Sequence, residues 1–520
     1  MKRILALFVV QFAALTMGCA SLPSLEGRSE TTAITDTAGT RLGRAVTADV
    51  AANPGKTGIH PLPAPHDAFA ARAVFAAAAE KSLDVQYYIW HGDQVGYLLF
   101  EALWQAAERG VRVRLLLDDM NTGGLDPTIA ALDAHPNIEV RLYNPFVQRG
   151  ARLLAFLTGF ERLNRRMHNK SFTVDNQVSV VGGRNIGNEY FAAGDGVTFA
   201  DLDVIAVGAA VRKVSAQFDL YWNSPSAYPA ERVVGTPGPD AAADLKAQFA
   251  SVRVDPESTA YIQAVAATPL VRDLLGGRLA LEWVPARLVH DDPAKTLDTT
   301  ERKDVLLFPE LVRIMGVPQK TFDLVSPYFV PGDDGTASLA RLAGSGVKIR
   351  VLTNSLASSE AAVVFAGYAK RRHDLLRAGV QLYEMKPTGA PQGKKGREER
   401  EEHGGVGSSA AAALHAKTFA VDRSRIFVGS FNFDQRSALL NTEMGLIVES
   451  PLFAQRLAEF FDKTVGEAAY EVRLKPDGSS MEWIEQTASG EVRHDADPGT
   501  GGFKRFSVEF LSIFPIDWML

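Results

Sequence analysis

The sequence predicts an α/β protein of two pseudo-symmetric halves sharing one active site. Short apolar or β-branched runs alternate with helical stretches. The alternation recurs about 236 to 240 positions later, and each copy closes on the same polar signature.

The elements follow in order. In the first half, Leu83 to Trp90 (LDVQYYIW) reads as a strand and Leu98 to Ala107 as an Ala/Leu-rich helix. Gly110 to Asp119 and Ile138 to Pro145 read as further strands. The second half offers Phe322 to Phe329, Leu339 to Ser355, a helical run from about Glu360 to Arg377, and Gly379 to Pro387. The predicted boundaries are a leader at 1–18, a tether at 19–62 and a first domain at 63–235. A connecting region at 236–300, a second domain at 301–465 and a C-terminal extension at 466–520 complete them.

Composition narrows the class. Of 520 residues, 46% are hydrophobic and 22% charged, which excludes whole-chain disorder, collagen and a polytopic membrane protein. The net charge of −6 leaves no global basic field to hold nucleic acid, so none is expected as a partner. The single cysteine, Cys19, excludes a disulfide framework and a Cys-based zinc site.

The start of the chain reads as an address. Lys2 and Arg3 precede an apolar run from Ile4 to Met17, broken only by Gln11 and Thr16. That run is shorter than the ~20 residues a spanning helix needs, and basic, apolar and small residues in this order describe an export signal. Leu15 to Cys19 (LTMGC) resembles a bacterial lipoprotein signal, which implies lipid on Cys19 and a membrane-anchored location in the cell envelope. A plain signal peptide or uncleaved anchor is the alternative, and every version exports the body.

The chemistry concentrates in the two signatures, His168 to Asn185 (HNKSFTVDNQVSVVGGRN) and His415 to Asn432 (HAKTFAVDRSRIFVGSFN). Counting from each His, Lys stands at +2 (Lys170, Lys417), Asp at +7 (Asp175, Asp422), Gly at +14 (Gly182, Gly429) and Asn at +17 (Asn185, Asn432). One such spacing arises easily by chance, but two in register do not. Alternate strand residues share a face, so His and Lys project together from each copy. Each Asp opens a tight polar segment and reads as a structural support. Phosphodiester cleavage by a covalent route needs a nucleophile, an acid on the leaving oxygen, and positive donors around the non-bridging oxygens. Two apposed signatures supply these groups, with Lys170, Lys417, Asn185 and Asn432 as the clamp. Ser430 offers a hydroxyl where the first half has Gly183, and it joins the phosphate-binding group. The other eight histidines lack metal-ligand spacing, and no metal or cofactor is expected.

This duplicated His-x-Lys-x4-Asp resembles the phospholipase D superfamily over nearly the whole exported chain. GGRNIGNEYF, FADLDVIAVG, FDLYWNS and PIDWML look like the bacterial cardiolipin synthase branch that lacks a pair of N-terminal transmembrane helices. The resemblance implies two phospholipase D-type βα sandwich domains packed with the active site between them. It also implies a phosphohistidine intermediate, with His168 as nucleophile and His415 as acid/base, although both signatures are complete. Asp203 and Glu443, each near the start of a predicted strand, are expected to orient the catalytic imidazoles. The implied substrates are phosphatidylglycerol as acceptor and phosphatidylglycerol or phosphatidylethanolamine as donor. A hydrolytic phospholipase D, an exported nuclease and a non-catalytic lipid-binding envelope protein are the alternatives.

Three further segments carry expectations. Arg149 to Arg166, with five arginines among apolar residues at helical spacing, reads either as an interfacial segment meeting anionic headgroups or as a helix packed on its own domain. The tail from Phe503 to Phe514 has the same ambiguity. Thr388 to Ser409, charged and Gly-rich, reads as a mobile loop close to His415.

Overall fold

The computed structural model describes residues 21–194, 196, 198–297, 302–359, 362–387 and 412–514. The leader with Cys19 and the loop at 388–409 lie outside them. No helix among the described residues is long and apolar enough to cross a membrane.

The repeat folds as two matched mixed sheets. In the first, six strands lie in the order Asp203–Gly208, Val178–Gly182, Ser171–Val174, Ser82–Tyr87, Arg112–Asp118, Ile138–Tyr143. In the second, the order is Met444–Val448, Arg425–Gly429, Lys417–Val421, Thr321–Val325, Lys348–Asn354, Gln381–Met385. The last three strands of each set run parallel through helical crossovers, while the signature hairpins are antiparallel. The helices form where the sequence caps and stripes them. Gln94–Glu108 starts on Asp93, whose carboxylate accepts from Gly96 N at 2.9 Å, and buries Leu99, Phe100, Leu103 and Trp104. Pro451–Lys463 starts on Ser450 and buries Phe453, Leu457 and Phe461.

Each sheet packs one face against its own helices. The opposite faces share an apolar cluster in which Ile59, Val181, Val204 and Ala206 meet Ala420, Ile426, Val428 and Leu446. The halves are therefore joined by a common core.

One predicted segment is corrected, and two others gain a definite place in the fold. Residues 21–62 are not a tether. Thr57–Leu62 is a strand of the first sheet, between Glu282–Val284 and Asp203–Gly208. Ahead of it, the chain from 21 to 40 is a strap on the first half. Arg28 donates to the carbonyls of Ser224 (2.6 Å), Ala227 (2.8 Å) and Asn223 (2.5 Å), while Thr31 O accepts from Arg114 (2.9 Å). Composition pointed to a linker because these bonds use the strap's main chain and one arginine, which leave no apolar period. The described part of the connecting region, 236–297, packs on the first half. Helices Ala241–Val254, Pro256–Ala266 and Pro269–Leu275 bury Leu245, Phe249, Tyr261 and Leu270 in the first core. The ribbon from Glu282 to His290 then adds a strand to each sheet. The C-terminal extension continues the second sheet through Ala469–Leu474, Met481–Thr487 and Gly490–His494.

The arginines between 149 and 166 face inward. Arg149 pairs with Asp119 (2.5 Å) and with Asp126, and Arg152 donates to Asp119 O (2.6 Å). Arg165 donates to Lys295 O (3.1 Å), and Arg166 pairs with Asp118 (2.6 Å). Their charge is spent inside the fold rather than held ready for headgroups, while Leu153 and Leu157 stand exposed. The tail helix Gly502–Ser512 buries Val508 and leaves Phe503, Phe506 and Phe510 in solvent.

Asp175 and Asp422, expected to be supports, lie in the turns of the signature hairpins. Both adopt left-handed backbone (φ +50° and +51°) in the turn of the signature hairpin. Asp175 accepts from the backbone N–H of Glu80, Lys81 and Ser82, and Asp422 from those of Gln319, Lys320 and Thr321. Each thereby ties its signature strand to the start of the strand beside it. Asp175 is fully buried, so Asp175→Ala is expected to cost about 3 kcal/mol in urea unfolding of the whole chain. Asp422→Ala is expected to cost less because its bonds lie at the surface. Equal losses would contradict this account.

Candidate active site

Each signature histidine sits where its segment pairs with the other half. Thr442 N donates to Arg166 O (2.9 Å) and His168 N to Thr442 O (2.8 Å). On the other side, Ala412–Leu414 runs parallel to Thr198–Ala200, and His415 N donates to Ala200 O (2.8 Å). This pairing places each imidazole beside an acid from the opposite half.

The two imidazole–carboxylate pairs are reciprocal. His168 Nδ1 lies 2.8 Å from Glu443 Oε2 and 3.0 Å from Oε1, and His415 Nδ1 lies 2.5 Å from Asp201 Oδ2. A carboxylate at Nδ1 requires the proton there, which leaves the Nε2 lone pair free. Glu443 is where the sequence placed an orienting acid. Asp203 is not: it is fully buried on Arg72 (2.9 Å) and Arg184 (3.4 Å), within the first half. Sheet register explains the correction. Gly182 pairs with Asp203, and its counterpart Gly429 pairs with Gly445, so the counterpart of Glu443 is Asp201. The +14 glycines carried that signal in the sequence.

Glu443 is held from both sides. Its N–H donates to Asp291 Oδ2 (2.7 Å), and Asp291 N donates back to Glu443 O (3.0 Å). Asp291 itself pairs with Lys295 at 3.0 Å. Ser430 Oγ donates to Glu443 Oε2 at 2.5 Å and accepts from Met444 N at 3.0 Å. Ser430 thus fixes the acid instead of meeting phosphate. Gly183 cannot carry that hydroxyl, because a Cβ there would stand 2.2 Å from Asp201 Oδ1. The Gly/Ser difference between the signatures follows from which acid each must accommodate.

The expected asparagine clamp divides. Asn185 Oδ1 accepts from Ile89 N (3.1 Å), and its Nδ2 donates to Tyr190 OH (3.0 Å), so its amide is spent on the fold. Asn432 is buried, and its Oδ1 has no hydrogen-bond partner among the described residues. Rings wall the imidazoles. Tyr88 meets His168 edge-on with centroids 4.9 Å apart, Tyr190 meets His415 at 5.0 Å, and Phe199 stacks on His415 at 5.5 Å. Asp201, Asp291, Tyr88, Tyr190 and Phe199 were not singled out from sequence.

Burial sets the protonation states. Desolvation, then the Lys170 and Lys417 ammonium groups, hold His168 well below its usual value. Desolvation and Lys417 push His415 down to about 3, against the opposing pull of Asp201. Both imidazoles are neutral near pH 7. Lys170 Nζ donates to His168 O (2.6 Å), and Lys417 Nζ donates to His415 O. Burial lowers Lys170 strongly and Lys417 to about 8. Two uncharged imidazoles with open Nε2 atoms beside two buried lysines form a binding place for a phosphodiester anion.

Another close group, His91, Asp93 and Glu189, has a structural explanation. Asp93 caps two helices by accepting from Gly96 N and Asn188 N.

A family model described as "Cardiolipin synthase, PLD-like domain" matches residues 75–222 and 311–465, which contain both signatures and both orienting acids. Cardiolipin synthase C of Escherichia coli (strain K12) is 46% identical over 92% of this chain and 100% of its own length. A cardiolipin synthase of Clostridium perfringens (strain SM101 / Type A) is 26% identical over 74% of this chain and 65% of its own. Among solved structures, the phosphatidylserine synthase of Haemophilus influenzae Rd KW20 aligns over 92% of this chain and 100% of its own, with a TM-score of 0.55 at 12% identity, and so shares the fold. On the duplicated site and the matches that span it, the chain belongs to the cardiolipin synthase, phospholipase D-like domain family.

Proposed function

We propose that this chain is a phosphatidyltransferase that makes cardiolipin. The observation that carries the proposal is the pair of neutral imidazoles, each oriented by the other half's carboxylate, flanked by two buried lysines. The full-length likeness to a cardiolipin synthase supports it.

In the proposed reaction, His168 Nε2 attacks the phosphorus of a donor lipid, phosphatidylglycerol or phosphatidylethanolamine. The N–P bond forms as the P–O bond to the headgroup alcohol breaks, and that alcohol leaves with a proton from His415. The terminal hydroxyl of a phosphatidylglycerol then attacks phosphorus and gives its proton to His415, and the N–P bond breaks. His168 suits the nucleophile because both oxygens of Glu443 lie within 3.0 Å of its Nδ1 and Ser430 fixes that carboxylate. His415 suits the proton carrier because its side chain is twice as exposed, 16% against 8%. The bound phosphodiester anion raises the His415 pKa, so that His415 takes up from water, as substrate binds, the proton it gives to the leaving alcohol. Asn432 faces the same task as the lysines, while Asn185 acts through Tyr190.

We further propose that the protein works at a membrane surface, with Phe503, Phe506 and Phe510 entering the interface, after export and attachment through Cys19.

The central test incubates the purified full chain with labelled phosphatidylglycerol vesicles, with and without phosphatidylethanolamine. Cardiolipin is expected, and either His168→Ala or His415→Ala should lower turnover at least about 10³-fold. Phosphatidic acid without cardiolipin would replace transfer by hydrolysis, and an active variant at either histidine would reject the two-histidine route.

The pH profile gives a second test. Protonating His168 on the acid side, below 6.5, removes the nucleophile. Raising pH through about 8 takes the proton from Lys417 and weakens the clamp. Burial pushes the Glu443 carboxyl up to about 7, so kcat/KM is expected to rise up to about 7, hold to about 8 and then fall. A profile flat to about 10, the usual lysine value, would refute this role for Lys417.

For attachment, metabolic labelling with a lipid precursor should tag the wild type but not Cys19→Ser. An untagged wild type would leave an unlipidated signal or anchor.

A further inference from the structure

The second half contains an apolar groove of about 680 Å³ between its sheet and two helices. Leu307–Met315 supplies one wall through Leu311 and Met315, and Gly332–Gly344 supplies the other through Leu339 and Leu342. The floor is Phe419 and Val421 of the signature strand. This volume lies within the ~300–1,000 Å³ of ligand sites. The mouth is open, since Phe308, Val312 and Leu439 on its rim are 37%, 45% and 52% exposed.

The groove lies beside the candidate active site. Strand residues two apart share a face, so Phe419 and Val421 project on the same side as Lys417, beginning about 7 Å along the strand. At the same end, Phe433 and Asp434 line the groove, and the Asp434 carboxyl lies in the field of Lys417. The groove thus starts close to the phosphate-binding groups and runs along the second half as an apolar surface. The matched first-half residues Leu83, Phe172 and Val174 are buried slightly more completely than Phe322, Phe419 and Val421. A ligand with an anionic phosphate at one end and a long unbranched apolar part fits this sequence of surfaces.

We propose that the groove holds one acyl chain of the phospholipid whose phosphate meets the paired histidines. The proposal rests on the lipid-transfer reading above and adds a subsite to it. It assigns Ala438 and Ser338, both half-buried on the groove wall, as positions where added bulk competes with the chain.

The test uses the full chain carrying His168→Ala, so that lipid is bound without turnover. Phosphatidylglycerol with a photoreactive group at the end of one acyl chain is presented in phosphatidylcholine vesicles. Adducts are mapped by mass spectrometry. They are expected within 308–317, 335–342 and 431–439, and Ala438→Trp or Ser338→Trp should each cut their yield about tenfold. Labelling from a photoreactive headgroup should persist in both variants. Two independent fillers guard against one that misfolds, and retained headgroup labelling reports the fold. Adducts lying elsewhere, or a yield unchanged by both fillers, would overturn the proposal. So would adducts that reach the groove only after residues 515–520 are removed, which would make the chain's own end the occupant. If the wild type made no cardiolipin, the transfer reading would fail while the adduct map still decided the groove.

Discussion

Everything at the centre of this molecule depends on one exchange: each half supplies the carboxylate that holds the other half's imidazole. A free imidazole divides its proton between two nitrogens, and only the tautomer with an open Nε2 is a nucleophile. Glu443 enforces that tautomer on His168 across 275 positions of sequence, and Asp201 enforces it on His415 across 214. The main-chain bonds around Thr442 and Ala200 make the exchange rigid, because they fix the residues next to both partners. A site of this kind cannot be half built. During synthesis His168 lacks its orienting group until the chain has passed Glu443, so an incomplete chain carries no oriented nucleophile.

The same exchange accounts for the local electrostatics. A net charge of −6 says little about a site in which two lysines, two histidines and two acids are buried together. Desolvation would be prohibitive for an isolated ammonium group, but each lysine lies in the field of both acids and bonds the carbonyl of its own signature histidine. The surrounding arginines, Arg72, Arg166 and Arg184, are spent on Asp203, Asp118 and backbone carbonyls. Positive charge is therefore plentiful around the site, yet it is directed inward wherever it would compete for the substrate.

Much of this was legible in the sequence, for definite reasons. The doubled signature located both histidine–lysine pairs, because strand alternation ties residues two apart to one face. The turn-forming aspartates were legible from their place in a tight polar segment. What escaped was whatever depends on register. Asp201 and Asp203 lie two apart, so alternation puts them on the same side, and only the Gly182 and Gly429 pairings tell them apart. Asn185 and Asn432 are equivalent by count yet differ in use, since one amide is consumed by Ile89 and Tyr190. The segment at 21–62 was opaque because its bonds run from backbone carbonyls to buried arginines of distant strands.

The strap also has a mechanical meaning. Its first described residue, Ser21, already precedes a run bonded to the first half, with Ser24 O and Glu26 O taking bonds from Arg232 and Arg28 gripping three carbonyls. A load applied at Ser21 thus passes within a few residues into the edge of the first sheet. Anything fastened there has almost no slack, and the body would move with its point of attachment as a wheel moves with its axle, not as a float on a line.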